Sequence, residues 1–157
     1  MTTKTNFETM RQTLLLLFLA LILMPDTINA LPFKEISTDN GLSNRRVQES
    51  ILDDNGYIWF ATRSGIDRYN GEFFVHYTLS ISAENEVTEH PRGILINDQK
   101  EIYAFSEANI YKFSYETDSF HQVNNVNLTQ REAINAITFD PTGHLWIGTT
   151  EHLYRFN

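Results

Sequence analysis

Asn44, Arg45, Arg46, Arg63 and Ser64 are the residues of this chain best equipped to grip a polar ligand. A guanidinium presents several N–H donors in a fixed fork that fits a carboxylate or a pair of hydroxyls, and a neighbouring amide or hydroxyl adds further donors and acceptors. That chemistry is binding: it holds a sugar hydroxyl or a uronate carboxylate without breaking a bond. For any single one of these residues the plainer reading, an ordinary solvated rim, takes precedence over contact. Asp53-Asp54-Asn55-Gly56 gathers oxygen atoms and raises the question of calcium. An EF-hand loop, however, needs ligands at alternating positions and a glutamate at its end. Here the carboxylates are adjacent and that glutamate is missing, whereas Asn-Gly is a strong signal for a tight hairpin turn. His76, His90, His121, His144 and His152 lack the close spacing that would focus two of them on one metal, so no metal ligand is assigned. No Ser/His/Asp group, paired carboxylate or cofactor fingerprint stands out, and no catalytic or cofactor-binding residue is assigned.

The elements that must position these side chains are short strands in a repeated pattern. Residues 47–70 (VQESILDDNGYIWFATRSGIDRYN) recur as residues 134–157 (INAITFDPTGHLWIGTTEHLYRFN) at a shift of 87 positions. Asp53 falls on Asp140, Gly56 on Gly143, Trp59 on Trp146 and Thr62 on Thr149. A worn copy lies between them, with Tyr103 in place of the tryptophans, Ser106 in place of the threonines and Lys112 in place of Arg68 and Arg155; the spacings are 44 and 43 residues. Periods of about 40 to 50 residues built from short strands indicate β-propeller blades. The expected fold is all-β: four-stranded antiparallel blades, with repeats at about 47–78, 93–123 and 134–157.

In the first copy, strands are expected over 47–52, 57–62, 66–69 and 73–78, separated by Asn55-Gly56, Ser64-Gly65 and Asn70-Gly71. Residues 57–62 carry large apolar groups on both faces, which calls for cover on both sides, as between propeller blades. Trp59 and Trp146 could stack on sugar rings, but a place in the middle of an inner strand argues for packing between blades. Residues 33–37 (FKEIS) read as a fourth strand without the three before it, of the kind that closes a ring by pairing the chain's two ends. Two whole blades and part of a third fall short of the roughly four to eight that close a propeller, so the expectation is the N-terminal part of something longer. In a propeller the turns between second and third strands and the links between blades emerge on one face. That face collects Asn44, Arg45, Arg46, Arg63 and Ser64, followed by Glu107, Asn109 and Glu151.

The formal net charge is −8, and an acidic chain repels nucleic-acid phosphates and anionic lipid, so nucleic acid is not an expected partner. With no cysteine, disulfides and thiolate metal sites are excluded. Residues 1–30 have the layout of a secretory signal peptide: Lys4 and Arg11, an apolar run at 14–24, then Pro25 and a small residue, Ala30, at the expected cut. The apolar run is short against the roughly 20 residues that span a bilayer, which favours export with cleavage and leaves 31–157 as the folded part.

The segment Thr38-Asp39-Asn40-Gly41-Leu42-Ser43-Asn44, followed by Val47, Asp53, Gly56, Trp59, Thr62, Gly65, Ile66, Arg68, Tyr69 and Gly71, resembles the two-component regulator propeller repeat. Residues 145–149 (LWIGT) are its most recognisable piece, and 57–62 (YIWFAT) a close variant. The resemblance covers 33–157, strongly in the first and third copies and weakly in the second. It implies the periplasmic sensor region of a hybrid two-component histidine kinase of the Bacteroidetes type, carbohydrate-responsive and itself without enzymatic activity. The kinase would lie in a longer parent protein. Implied partners are an oligosaccharide ligand, the remaining blades of that parent and a homodimer partner. The alternatives are a piece of a secreted propeller enzyme, such as a polysaccharide lyase or a quinoprotein, and a protein-interaction propeller.

Overall fold

The computed structural model describes residues 10–16, 18, 33–81, 87–123, 128 and 132–156. The chain divides into two compact units, Met1–Lys34 and Glu35–Asn157. In the first, residues 10–16 are helical. The remainder of the expected signal peptide, with the cut after Ala30, lies outside the described residues.

The second unit is built from strands. The first blade has β1 (Val47–Leu52), β2 (Ile58–Thr62), β3 (Gly65–Tyr69) and β4 (Phe74–Tyr77), joined in that order as an antiparallel sheet. A two-residue ladder, β5 (Leu79–Ser80) with β6 (Thr88–Glu89), follows. The second blade has β7 (Gly93–Ile96), β8 (Ile102–Phe105), β9 (Ile110–Ser114) and β10 (Ser119–Gln122), again each strand beside the next. The third has β11 (Ile134–Phe139), β12 (Leu145–Thr149) and β13 (Leu153–Phe156).

Strand alternation makes each blade two-faced, and the blades stack through those faces. Trp59, Ala61, Ile66 and Tyr77 of the first blade form one core with Ile94, Ile102, Ala104, Tyr111 and Phe113 of the second. The opposite face of the second blade contributes Phe105 and Ile110 to another core with Ile134, Leu145 and Ile147 of the third. The turns supply the reversals. Gly56 has φ +82° and Gly143 +87°, the left-handed region that glycine enters at no steric cost.

Two expectations need correction. Residues 33–37 form no strand: Phe33 is 92% exposed, and Ser37 caps a 3-10 turn over Thr38–Asn40. A strand exists by its ladder bonds, and no strand among the described residues pairs with this segment. Nor is β2 covered equally on both faces. Trp59 and Ala61 are fully buried against the second blade, while Ile58 remains 37% exposed. Its outer face meets a loop instead of a sheet: Leu42 is buried, and Ser43 donates its backbone N–H and hydroxyl to Asp67.

Candidate polar cleft at the blade ends

The repeated carboxylates and tryptophans are tied to each other. Asp53 accepts the backbone N–H of Asn55 and of Tyr57 on one oxygen, and the Trp59 indole N–H at 2.8 Å and the Tyr115 hydroxyl at 2.7 Å on the other. Burial by itself would raise this carboxyl; the donors from Trp59, Tyr115, Tyr57 and Asn55 outweigh it and hold the group below its ordinary value. Burial, together with the bond to Asp53, pushes Tyr115 up to about 12. Asp140 repeats the pattern, taking the Trp146 indole at 3.0 Å and the N–H groups of Thr142 and His144. Both Asp53 oxygens are thus engaged by turn and indole donors. Arg68 lies 5.4 Å from the Trp59 ring centre, Arg155 5.8 Å from that of Trp146 and Lys112 5.7 Å from that of Tyr103. The worn repeat therefore keeps the cation-over-ring contact although its ring has changed.

The repeated hydroxyls hold the turns between second and third strands. Thr62 donates to the Gly65 carbonyl and accepts from Ser64 N–H, while Thr149 accepts the His152 N–H and Ser106 that of Asn109. Each hydroxyl also meets the segment that enters its blade. Ser106 bonds Glu89, which takes Tyr111 at 2.7 Å and Asn109 at 2.8 Å as well; Thr149 bonds Glu132, which also takes Tyr154. In the first blade the roles are exchanged: the entering segment supplies the hydroxyl, Ser43, and β3 supplies the carboxylate, Asp67. His76 reaches the other Asp67 oxygen at 2.6 Å. Ser43, Asp67 and His76 thus come together, an association that sequence spacing does not reveal. The carboxylate stands in the middle: it takes the Ser43 hydroxyl on one oxygen and His76 on the other, so the imidazole does not bond the serine hydroxyl.

At the ends of the first strands lies a cleft of about 600 Å³ lined by Arg46, Gln48, Arg63, Thr88, Glu89, His90, Pro91, Arg92, Ser106, Glu107 and Asn135. Two repeat positions supply five of its eleven residues. Gln48, Arg92 and Asn135 are one position, spaced 44 and 43 residues apart like the rings, and Arg63 and Glu107 are another. Gln48 and Asn135 are the unpaired residues where the β1–β2 and β11–β12 registers slip, between Val47 and Glu49 and between Ile134 and Ala136. Such bulges re-aim a side chain that regular pleating would send elsewhere. The Gln48 amide donates to the Pro91 carbonyl, and Arg92 reaches the Ile134 carbonyl at 3.3 Å, Asn135 at 3.1 Å and Glu107 at 3.2 Å, so these residues also stitch neighbouring blades.

Of the five expected ligand residues, the structure brings Arg46 and Arg63 into this cleft. Their backbones are joined, Arg63 N–H to Arg46 carbonyl at 3.2 Å. Asn44 and Ser64 are engaged elsewhere: the Asn44 amide donates to the Ser64 hydroxyl at 3.0 Å, and its oxygen accepts the Arg46 N–H. Arg45 does not line the cleft. Sequence reasoning missed Gln48, His90, Arg92 and Asn135. The spacing shared by Gln48, Arg92 and Asn135 is the signal that would have found three of them. His90 donates Nδ1–H to the Arg63 carbonyl at 2.8 Å, which leaves Nε2 for other contacts.

Residues 128–151, which overlap the third repeat, match the family model described as two component regulator propeller. No curated protein matches the chain in sequence. Among solved structures, the chain is similar to the extracellular domain of a protein from B. thetaiotaomicron described as a one component system, with 19% identity, a TM-score of 0.63, and coverage of 78% of this chain and 16% of that one. It is also similar to the extracellular domain of a protein from the same organism described as a hybrid two component system, with 21% identity, a TM-score of 0.60, and coverage of 79% and 20%. A third is virginiamycin B lyase from Staphylococcus aureus, with 14% identity, a TM-score of 0.57, and coverage of 71% and 38%. The chain thus spans a fifth or less of the two extracellular domains. At these identities the likeness establishes the fold, which is a set of β-propeller blades. The resemblance read from the residues meets the family model in the third blade.

Proposed function

We propose that this chain is the N-terminal ligand-sensing part of an exported hybrid two-component regulator, binding a carbohydrate in the periplasm and signalling to a kinase elsewhere in a longer protein. The observation that carries the reading is the cleft: a polar recess assembled from equivalent positions of three blades, on a fold shared with extracellular domains of proteins described as one and hybrid two component systems. Rigid scaffolds generally place binding groups at loop ends of this kind. Occupation of a recess that touches all three blades would favour one arrangement of blades over another, which is what a sensor must pass on. The leader-like first 30 residues support export, and no helix among the described residues is long and apolar enough to cross a membrane. Membrane attachment and homodimer formation would then belong to the longer protein.

A propeller enzyme is the competing reading, because the same fold occurs in a lyase. Calorimetric titration of the full-length gene product against a panel of oligosaccharides, with chromatography of each ligand afterwards, separates the two. Binding of one oligosaccharide class with the ligand recovered intact is the expected result. Shortened ligand would establish catalysis, and no binding across the panel would favour a protein-interaction propeller.

A further inference from the structure

Resting on that reading, we infer that the cleft selects an acidic saccharide, gripping a carboxylate or sulfate ester between Arg46 and Arg63. The argument begins from charge. The chain is strongly acidic, yet three of its twelve basic residues converge on this one recess. The recess also holds two carboxylates, each already bonded, and three arginines against two carboxylates leave it net positive. Glu89 accepts from Ser106 and Tyr111 on one oxygen and Asn109 on the other, while Glu107 pairs with Arg92 at 3.2 Å. What remains is Arg46 and Arg63. Neither guanidinium has a hydrogen-bond or ion-pair partner among the described residues, and both are exposed.

These two arginines sit at the open ends of adjacent strands, with their backbones hydrogen-bonded at 3.2 Å. Like charges placed side by side across a strand pair repel each other, so the pairing costs stability and invites an anion between the two forks. A carboxylate or a sulfate ester suits that place, since each offers several acceptor oxygens to paired N–H donors. His90, fixed through Nδ1–H on the Arg63 carbonyl, has Nε2 as an acceptor for a sugar hydroxyl next to the anionic group. The carboxamide of Asn135 and the Gln48 oxygen are placed to take hydroxyls of the same sugar. A neutral saccharide could offer the two forks hydroxyls but no charge to set against theirs, and the bonds would be the weaker for it.

The test titrates the full-length gene product with an oligogalacturonate, a sulfated oligosaccharide and a neutral oligosaccharide of equal length, and with inorganic sulfate and monomeric galacturonate as small anions. Arg46→Gln and Arg63→Gln keep bulk and polarity while removing charge, and Arg45→Gln, outside the cleft, is the control; unchanged thermal unfolding midpoints establish that the variants fold. One acidic class should bind about tenfold or more tighter than the neutral ligand, each cleft variant should weaken it about tenfold, and the control should stay within about twofold. Whichever acidic ligand binds identifies the group as carboxylate or sulfate. Equal binding of neutral and acidic ligands would overturn this inference while leaving carbohydrate sensing intact. Acidic binding that survives loss of both arginines would place the anion elsewhere and overturn it too. Small anions bound at the two arginines with every oligosaccharide ignored would uphold the anion site and overturn the carbohydrate reading. Silence from all ligands would overturn both.

Discussion

Trp59 and Trp146 occupy the same position of the repeat, yet their replacement by alanine should have different costs. Trp59 is wholly buried between the first and second blades, with ring centres of Phe113 at 4.7 Å, Tyr77 at 5.6 Å and Phe120 at 6.1 Å. A buried tryptophan removes about 200 Å² of surface from water, worth about 5 kcal/mol at ~25 cal/mol per Å². Residual compaction of the unfolded chain trims that by roughly a quarter, to about 4 kcal/mol, within the range for emptying such a site. Trp146 is only half-buried, and among the described residues no aromatic ring packs on it. Water can fill the space it leaves, so no sealed cavity forms, and its loss should cost about 2 kcal/mol. Each indole donates to its own aspartate, so that contribution cancels in the comparison. Urea unfolding followed by far-ultraviolet circular dichroism, which does not depend on indole fluorescence, measures the gap on the chain of 157 residues. Equal costs, or a larger one at Trp146, would refute the assignment of the interface between the first two blades as the better-sealed core. In a longer gene product whose next blade covers Trp146, the two costs should converge.

Glycine substitutions test the turns. Gly56→Ala meets open space and should cost only the left-handed strain, about 1 kcal/mol, whereas at Gly65, with φ +150°, a Cβ would run into the Tyr77 carbonyl, so Gly65→Ala should cost more than about 2 kcal/mol by the same unfolding assay. Acid should weaken the fold. The Asp53 and Asp140 carboxyls are both held below their ordinary value, so their contribution is present above the unfolded value near ~4 and is lost as pH falls through the lower folded values. Thermal midpoints should therefore decline as pH drops below about 4, and Asp53→Asn should flatten that decline. An unchanged slope in Asp53→Asn would assign the acid sensitivity to other groups.

The repeat determined the fold by itself. A strand period of two, glycine where the backbone must turn back and an aromatic residue every 43 or 44 positions dictate four-stranded units that must stack to hide both faces. Those are local and periodic demands, so one chain displays them without its three-dimensional partners. The Asp53 turn was legible for the same reason, although its second duty, holding the Trp59 indole, depends on how a turn and the middle of the next strand come to lie together. Residues 33–37 show where local pattern stops being enough: their strand-like composition has no ladder partner, and backbone donors without partners make no strand. The cleft was decided by tertiary structure. Gln48 and Asn135 reach it through register slips that pattern does not display, Arg92 and His90 come from links between blades, and Asn44 and Ser64 spend their polar atoms on each other. A side chain's type is written in the sequence. Whether its hydrogen bonds are already taken depends on neighbours that the fold alone brings within reach, and that separates Arg46 and Arg63 from the other arginine of the cleft, Arg92.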